Sequence, residues 1–150
     1  MTGEMAAKGS FEMRFGELEG IQIVSENYSK YSQMKMPHLA PDGGYINTFL
    51  REENSHRDKK FREGIGYFLR TRVVKEGDKI ISAHYGKLLT DIGFDPRGSR
   101  WYAKKGELKS FATISFTYYF NPTSNDRNLE FDTKKNLFKN LDSTERVNEP

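Results

Sequence analysis

The chain comes nearest to a chemical motif in one stretch, NPTSNDRNLEFD at residues 121–132, which holds three Asn, two Asp and one Glu. Asp126, Asn128 and Glu130 alternate there like the first ligands of a calcium loop, since a hard cation needs several oxygens brought in from every second position. The pattern then breaks off, because Phe131 stands where the loop's turn needs Gly and Leu137 where a bidentate Glu would close the site. The same alternation arises if Leu129 and Phe131 point inward from a short strand and leave Asn128, Glu130 and Asp132 in water. On that second reading Asn121-Pro122 ends a strand, and residues 123–126 turn the chain through Asx and hydroxyl hydrogen bonds to the backbone. Asp126, Glu130 and Asp132 could also furnish the carboxylates of a glycan-processing enzyme, but such a pair is defined by its separation in space, not in sequence. The expectation is a structural turn and no cofactor, with calcium as the one cation the residues suggest.

A second constellation is Trp101 and Tyr102 beside Arg97 and Arg100. Flat rings stack on sugar faces and guanidinium groups bind hydroxyls or acids, so the four form a candidate ligand platform. A core ring and its neighbour would leave the same trace. His38, His56 and His84 lie too far apart for a zinc motif, and His84 reads as a solvent-facing or hydrogen-bonded strand residue. The chain has no cysteine, which excludes disulfides, thiolate zinc sites and a catalytic thiol. A nucleophile elbow and a P-loop are absent, and Gly64-Ile65-Gly66 is followed by Leu69 where a dinucleotide fingerprint needs its third Gly. REGIGYFLRTR, residues 62–72, partly matches the ring-bearing strand of an RNA-recognition motif, but Glu63 replaces its basic residue and Ile65 an aromatic one. Nucleic acid is therefore not an expected partner.

The elements that must position these residues are strands. Rings make up 13% of the 150 residues and fall in short segments with Ile, Val and Thr, which suit a pleated, half-buried surface. Phe11, Met13 and Phe15 alternate with charged residues, and IQIVSE follows after Gly20. Tyr45–Leu50 reads as a strand, and residues 51–64 as a charged loop or solvated turns, with Phe61 as their one large apolar residue. GYFLRTRVV, a turn over Glu76-Gly77-Asp78 and KIISAHYGKLLTDIGF form a predicted hairpin, broken or bulged at Gly86. DPRGSR is a predicted turn. SFATISFTYYFNP is the strongest strand, with Ala112, Ile114, Phe116, Tyr118 and Phe120 as its expected core face. No segment carries a helical stripe, so the expected fold is one all-β domain over residues 1–150, an antiparallel β-sandwich with little helix; a β-barrel is the alternative. Residues 1–9 are expected to be disordered and 142–150 to form a flexible tail.

GYFLRTRVV, SAHYGKLLTDIGF, ISFTYYFNPTSNDRNLEFD and KKNLFKNL, together spanning roughly residues 66–141, resemble the C-terminal region of uncharacterised lipoprotein-like cell-envelope proteins of gut bacteria. The resemblance implies an exported β module, placed in the cell envelope or outside the cell. The lipid-bearing Cys and export signal of such proteins are not in this sequence, so contact with a membrane is expected only through an anchor the chain does not carry. No apolar run reaches the ~18 residues that span a bilayer. The net charge of +3 bears on solubility more than on polyanion binding. The expected function is a non-catalytic module that binds a glycan or a surface protein. The alternatives are a glycan-processing enzyme using the acids above and an RNA-binding strand platform.

Overall fold

The structure, a computed structural model, describes residues 8–25, 36–54, 64–102, 106–130 and 140. Within them the chain forms eight strands and no helix: β1 (Lys8–Arg14), β2 (Gly20–Ser25), β3 (Thr48–Asn54), β4 (Ile65–Glu76), β5 (Lys79–Leu88), β6 (Gly93–Tyr102), β7 (Glu107–Ser115) and β8 (Tyr118–Asn121). All pairings are antiparallel. A four-stranded sheet runs β2-β4-β5-β8, and β1-β3 and β6-β7 are two-stranded ribbons. Among the described residues no pairing closes a sheet on itself, so the fold is the sandwich-like arrangement and not the barrel. β1 takes in Lys8 and Gly9, the last residues of the start expected to be disordered.

Both faces of the four-stranded sheet are buried along β4. Tyr67 and Phe68 are neighbours on that strand and so point to opposite faces. Tyr67 joins Ile21, Leu88 and Ile92, against which Phe11, Met13, Phe15 and Phe49 of the β1-β3 layer pack. Phe68 joins Ala83, Tyr85, Met36, Ala40 and Leu129, so the 36–46 segment and the loop after β8 serve as the other cover. Fully burying a side chain such as Leu88 or Ile92 contributes roughly 1.5–3 kcal/mol, which is why two thin layers hold a sheet with so few large aliphatic residues. This double burial gives GYFLRTRVV its unbroken apolar start, where a half-buried strand would alternate.

The chain from 107 to 121 is extended, as expected, but it serves two sheets. β8 pairs with β5 from Tyr85↔Asn121 to Leu88↔Tyr118, and β7 pairs with β6 from Gly93↔Ser115 onward. Between them Leu89 N donates to Thr117 O at 3.0 Å, so β5–β6 and β7–β8 form one long bent arm. Residues 90–92 are the extra length that bends it. The predicted core face of this strand is overturned: Ile114, Phe116 and Tyr118 are 45%, 49% and 55% exposed. β8 is a sheet edge and β7 belongs to a ribbon, and the β1-β3 layer that covers Tyr67 and Leu88 stops short of them. DPRGSR is not a turn; it lies inside β6, where the register shifts between Asp95 and Gly98. The main irregularity of the β4–β5 hairpin falls at Thr71–Val74 and not at Gly86. β3 extends through Asn54, so Arg51–Asn54 are strand where a charged loop was expected.

Candidate functional site

The acidic stretch 121–130 is a knot of side-chain-to-backbone bonds. Asn121 Oδ1 accepts from Thr123 N at 2.9 Å, Asp126 Oδ1 from Asn128 N at 2.9 Å, and Asn128 Oδ1 from Glu130 N at 2.9 Å. These are three Asx turns, the local alternative that short polar side chains offer the backbone. Asn121 Nδ2 also donates to Asn128 O at 2.8 Å. Asn125, at a φ of 61°, clips the loop to β5: its Oδ1 accepts from Ala83 N at 3.0 Å and its Nδ2 donates to Ile81 O at 3.1 Å. Leu129 is fully buried beneath the loop. Two of the three proposed calcium ligands thus spend a side-chain oxygen on the chain's own N–H groups, and Glu130 is exposed. No group of three or more His, Asp or Glu converges among the described residues. Phe131, Asp132 and Leu137 lie outside the described residues, as do the side chains of Arg97, Arg100, Trp101 and Tyr102, whose backbones belong to β6. The rings of REGIGYFLRTR are inside the core, with Tyr67 0% and Phe68 4% exposed, so they are not presented to a base.

A buried polar network lies where the long arm bends. Asp91, 1% exposed, accepts from Tyr67 Oη at 2.6 Å, from Ile92 N at 3.0 Å and from Arg51 Nη1, which reaches both carboxylate oxygens at 3.2 and 3.0 Å. Arg51 Nε donates to Glu53 at 2.8 Å. Burial disfavours the Arg51 charge, but the hydrogen bonds to Asp91 and Glu53 outweigh it and hold the guanidinium above its ordinary value. The bend turns Asp91 into the sandwich, where it ties β3 and β4 to the start of the arm. Such a network positions elements and offers no open face to a ligand.

The open face is the outer edge of the four-stranded sheet. Phe116 and Tyr118 meet edge to face with centroids 6.3 Å apart, and Phe120 follows on the same side of the strand. The bulge in β4 adds a cation to this row. Thr71 pairs with His84 and Val74 with Ser82, so Arg72 and Val73 together oppose Ala83. Arg70 points to the other face, where its guanidinium lies 4.5 Å above the Tyr45 ring and donates to Leu18 O at 2.7 Å and Asp42 O at 2.8 Å. In an unbroken strand Arg72 would follow Arg70 to that face. The bulge, with Arg72 at a φ of 53°, turns it over, and its guanidinium lies 5.1 Å from the Phe120 ring centre. His84 stacks on the same ring at 5.9 Å and 14°. The His84 Nδ1 is buried with no hydrogen-bond partner among the described residues, while the residue as a whole is half-buried.

Sequence reasoning assigned Phe116, Tyr118 and Phe120 to the core and did not single out Arg72. The visible signal was the ring at every second position of FTYYF; the face it belongs to depends on which layer covers the edge. No family model, curated protein or solved structure matches the chain, so the lipoprotein-like resemblance rests on the residues quoted for it alone.

Proposed function

We propose that the chain is a non-catalytic, exported β-sandwich module of the bacterial cell envelope that binds a glycan along the ring-lined edge of its four-stranded sheet. One observation carries this reading: Phe116 and Tyr118 stand 49% and 55% exposed with their rings edge to face, Tyr118 on β8 where it pairs with β5 and Phe116 in the short connection that leads into it. Exposed rings fixed on a strand stack on the apolar faces of sugars with little loss of side-chain freedom. A second reading, contact with a surface protein, is favoured by Phe111 and Ile114 of β7, 44% and 45% exposed on a two-stranded ribbon. Ribbons of that kind are marginal in water and gain from an added partner.

Affinity electrophoresis through gels containing defined polysaccharides separates the two. Retardation by at least one polysaccharide, lost in Phe116→Ala and Tyr118→Ala but not in Phe111→Ser, supports the glycan reading. Retardation by none of them removes it in favour of the protein contact. New reducing ends appearing in a retarding polysaccharide would sink the claim that the module is non-catalytic.

A further inference from the structure

We propose that the glycan is acidic and that Arg72 is the residue that binds its carboxylate or sulfate groups, an inference that rests on the glycan reading above. Two independent features converge on Arg72, the bulge that carries it and the surroundings of its guanidinium. The bulge reverses its facing, so that Arg70 serves the interior while Arg72 joins the exposed rings. The bulge also holds a non-glycine residue at a φ of 53°, a backbone conformation that costs free energy and persists where the surroundings impose it. Finally, the guanidinium lies over the Phe120 ring and no described carboxylate or carbonyl pairs with it, in contrast to Arg51, Arg70 and Arg127. A guanidinium over a ring face leaves its N–H edge able to meet an oxyanion with two parallel hydrogen bonds.

The neighbourhood agrees with a negatively charged ligand. Glu19, the acid bonded to the bulge, is engaged by backbone: its carboxylate accepts from Gly16 N at 3.0 Å and from Val73 N at 3.0 Å. The His84 imidazole stacks on the same Phe120 ring. Tyr118 and Phe116 continue the row of rings from Phe120, next to which Arg72 stands. A neutral glycan would leave this guanidinium unused.

The test compares wild type with Arg72→Asn, chosen because Asn tolerates the left-handed backbone and preserves the bulge. Equal thermal midpoints establish that the variant is folded; if they differ, Arg72→Gln replaces it. Binding of polygalacturonate, dextran sulfate and neutral dextran is measured at low and at 0.3 M salt. The expected result is that polygalacturonate or dextran sulfate binds at least tenfold more tightly than dextran and loses that advantage in Arg72→Asn. Which of the two anionic polymers binds identifies carboxylate or sulfate as the group. If a neutral polymer binds as tightly as the acidic ones, or if Arg72→Asn binds them like wild type, the inference fails while the glycan reading survives. An equal loss in Lys79→Gln, an exposed lysine at the hairpin tip, would reduce the effect to net charge and also overturn it. If no polysaccharide binds, both readings fail.

Discussion

Arg51→Met should be among the most damaging single changes in this protein, although it replaces a surface-type residue with an apolar one of similar length. The carboxylate of Asp91 is enclosed between β3, β4 and the bend of the arm, and Arg51 is its charged partner among the described residues. With Arg51 gone, Tyr67 Oη and Ile92 N still donate to Asp91, but neither balances its charge. Removing one partner of a buried pair costs about 3–5 kcal/mol, because the remaining charge stays desolvated. For a chain of this length each kcal/mol moves the midpoint by about 2–4 °C, so Arg51→Met should lower it by roughly 6–20 °C. The double variant Arg51→Met/Asp91→Leu removes both charges. It removes the bond from Tyr67 Oη to Asp91, at about 1–3 kcal/mol, and should be more stable than Arg51→Met alone. Urea denaturation at pH 7 of the wild type, both single variants and the double gives the coupling directly. A loss below about 1 kcal/mol in Arg51→Met, or a double variant whose loss equals the sum of the singles, would refute the account of Asp91 as a charged pin at the bend.

Lys87 is 6% exposed, and burial lowers its pKa, with Glu130 acting in the opposite direction. Its folded value lies below the unfolded one, so it opposes folding at neutral pH and ceases to do so as pH rises through the ordinary lysine range near ~10.4. Lys87→Met should therefore raise the thermal midpoint at pH 7, and the gain should shrink toward pH 10.5; a gain that grew with pH would reverse the argument. Asn125→Ala should cost about 2–3 kcal/mol, since it removes the clip to Ala83 N and Ile81 O and sets at a positive φ a residue that tolerates it less than Asn; chemical denaturation against Asn125→Gly isolates the backbone part. Gly86→Ala should lose about 1–3 kcal/mol, because a Cβ there comes within 2.9 Å of Tyr119 O across the β5–β8 pairing, and hydrogen exchange should rise first in β8. Asp126→Ala should cost about 1 kcal/mol, the worth of one Asx turn, and millimolar calcium should leave the wild-type midpoint unmoved. A calcium-dependent rise that Asp126→Ala abolishes would mean that the loop is a metal site.

The amino-acid sequence alone determined that this chain is built of strands and roughly where they run. Alternation at Phe11, Met13 and Phe15, the turn chemistry at Gly77-Asp78 and the stop at Asn121-Pro122 are local properties, decided by side-chain period and backbone preference over a few residues. The Asx turns of 121–130 were legible for the same reason, since each bond closes within two residues. What the sequence could not supply is which face of a strand is covered. FTYYF alternates identically whether its even-numbered rings meet a second layer or water, and only the reach of the β1-β3 ribbon, drawn from residues more than sixty positions away, decides that Tyr118 is exposed while Leu88 opposite it is buried. The bulge at Thr71–Val74 is the same kind of fact, because an extra residue in one strand has meaning only against its partner's register. By adding one residue to β4 opposite Ala83, the pairing sends Arg70 to the interior and Arg72 to the surface, and no local pattern in LRTRVV distinguishes them.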